Sequence, residues 1–275
     1  MALAGSWAAG RASHGSSLIP VAGERGDVQG WEFWAACILG AVMTGLGKGG
    51  IPVVGAVTVP MMALAMPAPL AAGLMLPVYI VSDWFGLWAY RKHFDGRVLV
   101  IGFAGMTIGV VLGYFTFALV PEQWINGLIG LVGAVFALNM LVRRNLTPSP
   151  RPARVGPGVF WTALAGYTSF ISHTGAPPYQ VWTLPLGLRK EVYAGTSTIA
   201  FAYVNMLKLP FYWHLGQVNP ANLTVAALLA PVAVVSVFAG VRLVRILPER
   251  LFFQLVTWAL LAISLRLIWG ALVVG

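Results

Sequence analysis

The sequence predicts an all-α polytopic membrane protein made of two inverted-topology repeats, each a short broken-helix (re-entrant-like) hairpin followed by three transmembrane helices. Three observations predict it. Of 275 residues, 59% are hydrophobic and only 9% are charged, with a mean hydropathy of +0.82, whereas a soluble domain carries about 25% charged residues. Apolar stretches long enough to cross a bilayer recur along the chain. Two glycine- and proline-rich breaks with matching surroundings lie one in each half. So few charges cannot cover a water-soluble body of this size, which excludes a soluble enzyme, a nucleic-acid module and a disordered chain.

Residues 1–29 read as a flexible leader, because Arg11 and His14 interrupt the apolar start too early for a signal-peptide core. From Trp31 onward, apolar stretches fall at 31–47, 51–66, 69–90, 98–119, 122–142, 158–173, 177–187, 192–213, 220–245 and 249–273. A full span needs about 20 residues, a length reached by 69–90, 98–119, 122–142, 192–213, 220–245 and 249–273. The pairs 31–47/51–66 and 158–173/177–187 are shorter and are joined by Gly/Pro breaks rather than charged loops. Each pair is either a hairpin meeting inside the membrane or two ordinary short spans, and both readings give an even number of crossings. The first repeat then covers 30–145, a cytoplasmic linker 146–156, and the second repeat 157–275.

With the N-terminus outside, Arg91, Lys92, Arg97, Arg143, Arg144, Arg151, Arg154, Arg189, Lys190, Arg242, Arg245 and Arg250 all fall on one face. Cytoplasmic loops collect Lys and Arg, so that face is cytoplasmic and both termini face outward, as in an inner-membrane protein. The net charge of +9 therefore reports orientation, and no nucleic-acid partner is expected. The partners expected are a small anionic substrate and the lipid bilayer, with a homo-oligomer left open.

The segment 40–52 (GAVMTGLGKGGIP) aligns with 166–178 (GYTSFISHTGAPP), pairing Gly40 with Gly166, Gly49 with Gly175 and Pro52 with Pro178. After a short gap Ala72-Gly73 falls on Ala194-Gly195 and Asp83 on Asn205, and further on Pro121-Glu122 matches Pro248-Glu249. An odd number of crossings per half inverts the second copy, the arrangement of many secondary transporters with midplane sites at broken helices. Around the first break, Gly47, Lys48, Gly49 and Gly50 place flexible backbone and one full positive charge before Pro52, which suits the first turn of the next helix. A helix end of that polarity attracts anions. The second break offers Ser169, Ser172, His173, Thr174 and Gly175 before Pro178, groups able to donate to oxyanion oxygens. The plainer alternative is that the glycines serve close helix packing and Lys48 snorkels.

Asp83 lies about seven residues from the cytoplasmic end of its segment, ~10 Å deep at helical rise. It can carry a coupling proton, pair with a lysine or snorkel; with His173, Asn205, Pro52 and Pro178 it makes up the expected coupling and gating set. Lys208 and Arg266, near outer helix ends, are expected to snorkel, and Tyr79, Tyr90, Tyr203 and Tyr212 to anchor at interfaces or pack. No GxSxG or HExxH motif occurs, one cysteine and four scattered histidines make no metal cluster, and no catalytic residue or cofactor is expected.

The breaks GLGKGGIPV (45–53) and SHTGAPPYQ (172–180), with the stretch AGTSTIAF…N (194–205), resemble the TauE/SafE sulfite-exporter-like family over 31–273. In that family the first break is commonly GxGGG, and here Lys48 stands in its middle. The resemblance implies two related halves and export or uptake of sulfite, sulfoacetate or a similar sulfur anion. The expected function is thus an inner-membrane transporter of a sulfur oxyanion or organosulfonate, working by alternating access with or without a proton. The alternatives are a passive anion channel and a non-transporting membrane scaffold or assembly factor.

Overall fold

The computed structural model describes residues 30–56, 58–62, 65–66, 68–116, 122–142, 150–215 and 220–273, and every regular element among them is helical. In the first half, α1 (Trp31–Lys48) is followed by two short helices, α2 (Pro52–Ala56) and α3 (Thr58–Met62), and then by α4 (Ala68–Tyr90), α5 (Gly96–Thr116) and α6 (Glu122–Val142). The second half contains α7 (Val155–Ser172), α8 (Ala176–Thr183) with a 3-10 turn at Leu184–Leu186, α9 (Lys190–His214), α10 (Pro220–Ile246) and α11 (Glu249–Val273). The expected leader, Arg143, Arg144 and Pro121 lie outside the described residues. Helix α7 starts at Val155, so the end of the segment expected as a linker is already its first turn.

The helix ends follow local chemistry. Helix α1 stops where Gly50 takes φ +110°, a conformation that a Cβ makes costly, and Pro52 opens the next helix without a missing donor. Helix α7 stops at His173, which caps it in the left-handed conformation (φ 56°, ψ 20°). Asp95 caps α5, its Oδ1 accepting from the Val98 N–H at 2.9 Å.

Four helical stretches are long and apolar enough to cross a membrane: Leu70–Tyr90, Gly96–Thr116, Asn222–Ile246 and Glu249–Val273. Of the other two expected long spans, α6 reaches 21 residues, with Gly127–Val142 as a continuous apolar stretch among its described residues. Helix α9 has the length, at 25 residues, but buries Thr196, Ser197, Thr198, Asn205 and Lys208. Its polarity points into the protein, where partners satisfy it, rather than at lipid. The outer surface is apolar, with Val142 81%, Leu272 75% and Phe115 71% exposed, values that a soluble protein would not sustain as a belt. Exposed Trp31, Trp124, Trp213 and Trp269 sit near helix ends, as interfacial tryptophans do.

Helices of the two halves pack on one another: α1 on α10, α5 on α7, α4 on α9 and α6 on α11. Small residues make the tightest of these approaches. Gly102, Gly105, Gly109 and Gly113 follow helical spacing along α5, and a Cβ at Gly109 would run into the α7 backbone at Ala163. If α1, α2, α4, α5 and α6 are exchanged for α7, α8, α9, α10 and α11, the main pairings between the halves map onto ones that exist: α1–α10 onto α7–α5, α2–α11 onto α8–α6, and α4–α10 onto α9–α5. The pair α4–α9 maps onto itself and lies between the two breaks.

Candidate functional site

The C-terminal ends of α1 and α7 stop inside the protein, which leaves carbonyl groups that need donors. Side chains of α4 and α9 supply them. At the end of α1, Thr198 Oγ1 donates to the Lys48 carbonyl at 3.2 Å and Tyr90 Oη to the Gly49 carbonyl at 2.6 Å. At the end of α7, Lys208 Nζ donates to the Ser169 carbonyl at 3.0 Å and Tyr212 Oη to the Phe170 carbonyl at 2.6 Å. One feature, a helix end capped by a neighbouring helix, thus occurs at both breaks.

Lys208 is not a snorkelling residue. It is fully buried, and besides the carbonyl its ammonium reaches Ser169 Oγ at 3.2 Å and His173 Nδ1 at 3.3 Å. These three acceptors match the three N–H bonds of an ammonium group. With Nδ1 accepting, His173 carries its proton on Nε2 and donates it to Tyr212 Oη at 3.2 Å. Both ring nitrogens of His173 are therefore engaged inside the protein. The sequence placed Lys208 near an outer helix end; it did not reveal that the end of α7 would need its charge.

Lys48 has different surroundings. It is 8% exposed, Asp83 is 2% exposed, and Lys48 Nζ lies 2.6 Å from Asp83 Oδ1. Asn205 Nδ2 donates to Asp83 Oδ2 at 2.8 Å, so the carboxylate is held from both halves. The Tyr79 ring lies 5.4 Å from Lys48 Nζ on one side and 5.4 Å from the His173 ring on the other. The other two N–H bonds of Lys48 have no acceptor among the described residues.

Lys48 borders a cavity of ≈ 60 Å³ walled by both halves: Thr44, Gly47, Pro52, Gly55 and Tyr79 from the first, and Ser169, His173, Ser197, Thr198, Phe201 and Asn205 from the second. Tyr79 and Phe201 are equivalent positions in the alignment that pairs Asp83 with Asn205. Of the residues singled out from sequence, Gly47, Lys48, His173, Pro52 and Asn205 reach the cavity wall, and Asp83 stands behind Lys48. Gly49, Gly50, Ser172, Thr174, Gly175 and Pro178 shape the two breaks without lining it. Ser172 Oγ and Thr174 Oγ1 bond each other at 2.6 Å. Tyr79, expected to anchor at an interface or to pack, is buried and lines the cavity, as do the buried Thr44, Ser197 and Thr198. The polar run 196–198 inside an otherwise apolar helix was the available signal for the last two.

An apolar exterior around a small interior cavity lined by charged and polar side chains defines an integral membrane protein with a polar site in its interior. The sequence model of the family described as Sulfite exporter TauE/SafE matches residues 30–267, and the chain belongs to that family. Its members are membrane transporters, not enzymes. No curated protein and no solved structure matches the chain.

Proposed function

We propose that this family member carries a small sulfur oxyanion, sulfite foremost, across a bacterial inner membrane by alternating access, with two inverted repeats moving about the cavity and both termini outside. Lys48 is the substrate ligand in this reading, and the observation that carries it is its position: an ammonium group with unspent donors on the wall of a buried cavity. The volume argues for a small anion. At ~10–15 Å³ per water-sized group, ≈ 60 Å³ holds roughly four such groups, the size of sulfite; sulfoacetate and taurine have about twice as many heavy atoms. Two facts support the inverted repeat. The main helix pairings survive exchange of the halves, and Asp83 touches Asn205, its own counterpart, as equivalent residues do only near a two-fold axis.

The break residues Gly47, Gly49, Gly50, Ser172, Thr174 and Gly175 set the two helix ends, Pro52 and Pro178 belong to the helices that follow, and His173, on the second half's wall of the cavity, is bonded to Lys208, which does not line it. Asp83 is the coupling group. An anion arriving at Lys48 meets a carboxylate already paired there, and two like charges in one buried site are unfavourable. A proton taken up by Asp83 removes that conflict and releases Lys48 to the anion.

The test is uptake of radiolabelled sulfite into proteoliposomes. Lys48→Ala should abolish it. Because that change leaves Asp83 buried without its cation, the double variant Lys48→Met/Asp83→Asn serves as the folded control and should also be inactive. Transport at the wild-type rate in either variant would exclude Lys48 as the ligand.

A further inference from the structure

We infer that a second site, the groove where α4 and α10 end together, binds the headgroup of an anionic phospholipid. Its volume is ≈ 400 Å³, and it is built in two zones. Toward the helix ends it carries Arg91, Lys92, Arg242 and Arg245 with His93, and no carboxylate lines it. Toward the middle of the helices its wall is aromatic: Trp88, 59% exposed, meets Phe238, 43% exposed, edge-to-face at a centroid distance of 6.4 Å, and Phe85 extends the wall beyond them. A basic zone at the helix ends continuing into an exposed apolar wall matches a phosphate headgroup with acyl chains running down the protein. A soluble phosphate would use only the first zone.

The four cations exceed what the helix ends require. Lys190 already donates to the Arg245 carbonyl at 3.1 Å and to the Leu247 carbonyl at 2.5 Å, closing the end of α10. Arg91 donates to the Trp88 carbonyl at 2.6 Å with its guanidinium 4.8 Å from the Trp88 ring centroid, which fixes one arm of the groove. Two neighbouring acids are committed elsewhere: Asp95 caps α5, and Glu191 lies 3.7 Å from Lys190 Nζ and 3.8 Å from Arg189 Nη2; Glu249, four residues beyond Arg245, does not line the groove. Among the described residues none of Arg91, Lys92, Arg242 and Arg245 forms an ion pair. The site is separate from the Lys48 cavity and stands whatever that cavity carries.

The experiment is native mass spectrometry of the detergent-solubilised protein with equimolar phosphatidylglycerol and phosphatidylethanolamine. Phosphatidylglycerol should be retained preferentially. Each basic side chain removed should weaken it about fivefold, so Arg242→Gln/Arg245→Gln and, on the other helix, Arg91→Gln/Lys92→Gln should each lose roughly 25-fold. Trp88→Ala/Phe238→Ala should also release the lipid, and Arg151→Gln/Arg154→Gln, on the same basic face but outside the groove, should retain it. Equal retention of the two lipids, or equal loss in the Arg151/Arg154 control, would overturn the site. Displacement of the lipid by millimolar inorganic phosphate, unaffected by the Trp88/Phe238 change, would overturn the lipid as its occupant.

Discussion

Two buried lysines flank His173, Lys208 bonded to its ring and Lys48 across the cavity that His173 lines, and their partners divide their work. Lys208 meets two oxygens and a ring nitrogen, all belonging to the end of α7, and so holds that end together. Lys48 meets one carboxylate oxygen and leaves the rest of its donors to the cavity. Breaking a buried pair by removing one member is strongly destabilising, on the order of 3–5 kcal/mol, whereas Asp83→Asn keeps an oxygen acceptor for Lys48 and, with the Asn205 amide turned so that its oxygen accepts, the contact with Asn205. If Asp83 is the group that exchanges Lys48 for a proton, Asp83→Asn should still bind and exchange sulfite across a membrane. It should no longer accumulate sulfite when a pH gradient is applied, because the site has lost the proton acceptor. Measured as gradient-driven against equilibrium exchange in proteoliposomes, the ratio should fall to about one. A wild-type response to the gradient in Asp83→Asn would remove Asp83 from coupling.

At the scale of elements, the helices are held by close backbone approach, and this sets which glycines matter. A Cβ at Gly49 would lie 2.5 Å from the Val237 carbonyl oxygen and 2.6 Å from Gly240 Cα, and one at Gly166 would lie 2.8 Å from Met106 Cα. The obstacles are backbone, so α1 must move off α10, or α7 off α5. Gly49→Ala and Gly166→Ala should each cost about 1–3 kcal/mol, seen as a lower thermal midpoint in detergent, while Gly96→Ala, with nothing within 4 Å, should leave the midpoint unchanged. These elements were largely legible in the sequence. Apolar runs bounded by Gly and Pro located the helices to within a few residues, and the breaks at Gly49-Gly50 and His173 fell where glycine, proline and the hydroxyls cluster. The partners of the breaks were not legible. Periodicity along one helix says nothing of which other helix end needs a donor, so Lys208, Tyr212 and Thr198 could be placed in segments but not assigned their carbonyls. The Lys48–Asp83 pair was among the alternatives for Asp83, and its distance of 35 positions along the chain hid which lysine it would choose.

At the scale of the whole molecule, the sidedness of the chain depends on how often the short segments cross. Helix α9 spans 25 residues, ~37 Å at 1.5 Å per residue, enough to pass from one face to the other. Arg151, before α7, and Leu215, after α9, therefore lie on opposite faces if α7 and α8 together make an even number of crossings, and on the same face if they make an odd number. Both positions are exposed, and the native Cys37 is fully buried, so the parent protein provides an unlabelled background. In intact cells a membrane-impermeant maleimide should label Leu215→Cys at once and Arg151→Cys only after lysis. The reverse pattern would turn the molecule over and place its basic face outside, against the charge distribution that positions it. Labelling of both from one side would mean an odd number of crossings in α7–α8, and the two halves would then share one topology. That result would also dissolve the two-fold relation by which Asp83 and Asn205 meet as equivalents, since copies with the same topology are related about an axis along the membrane normal instead of one within its plane.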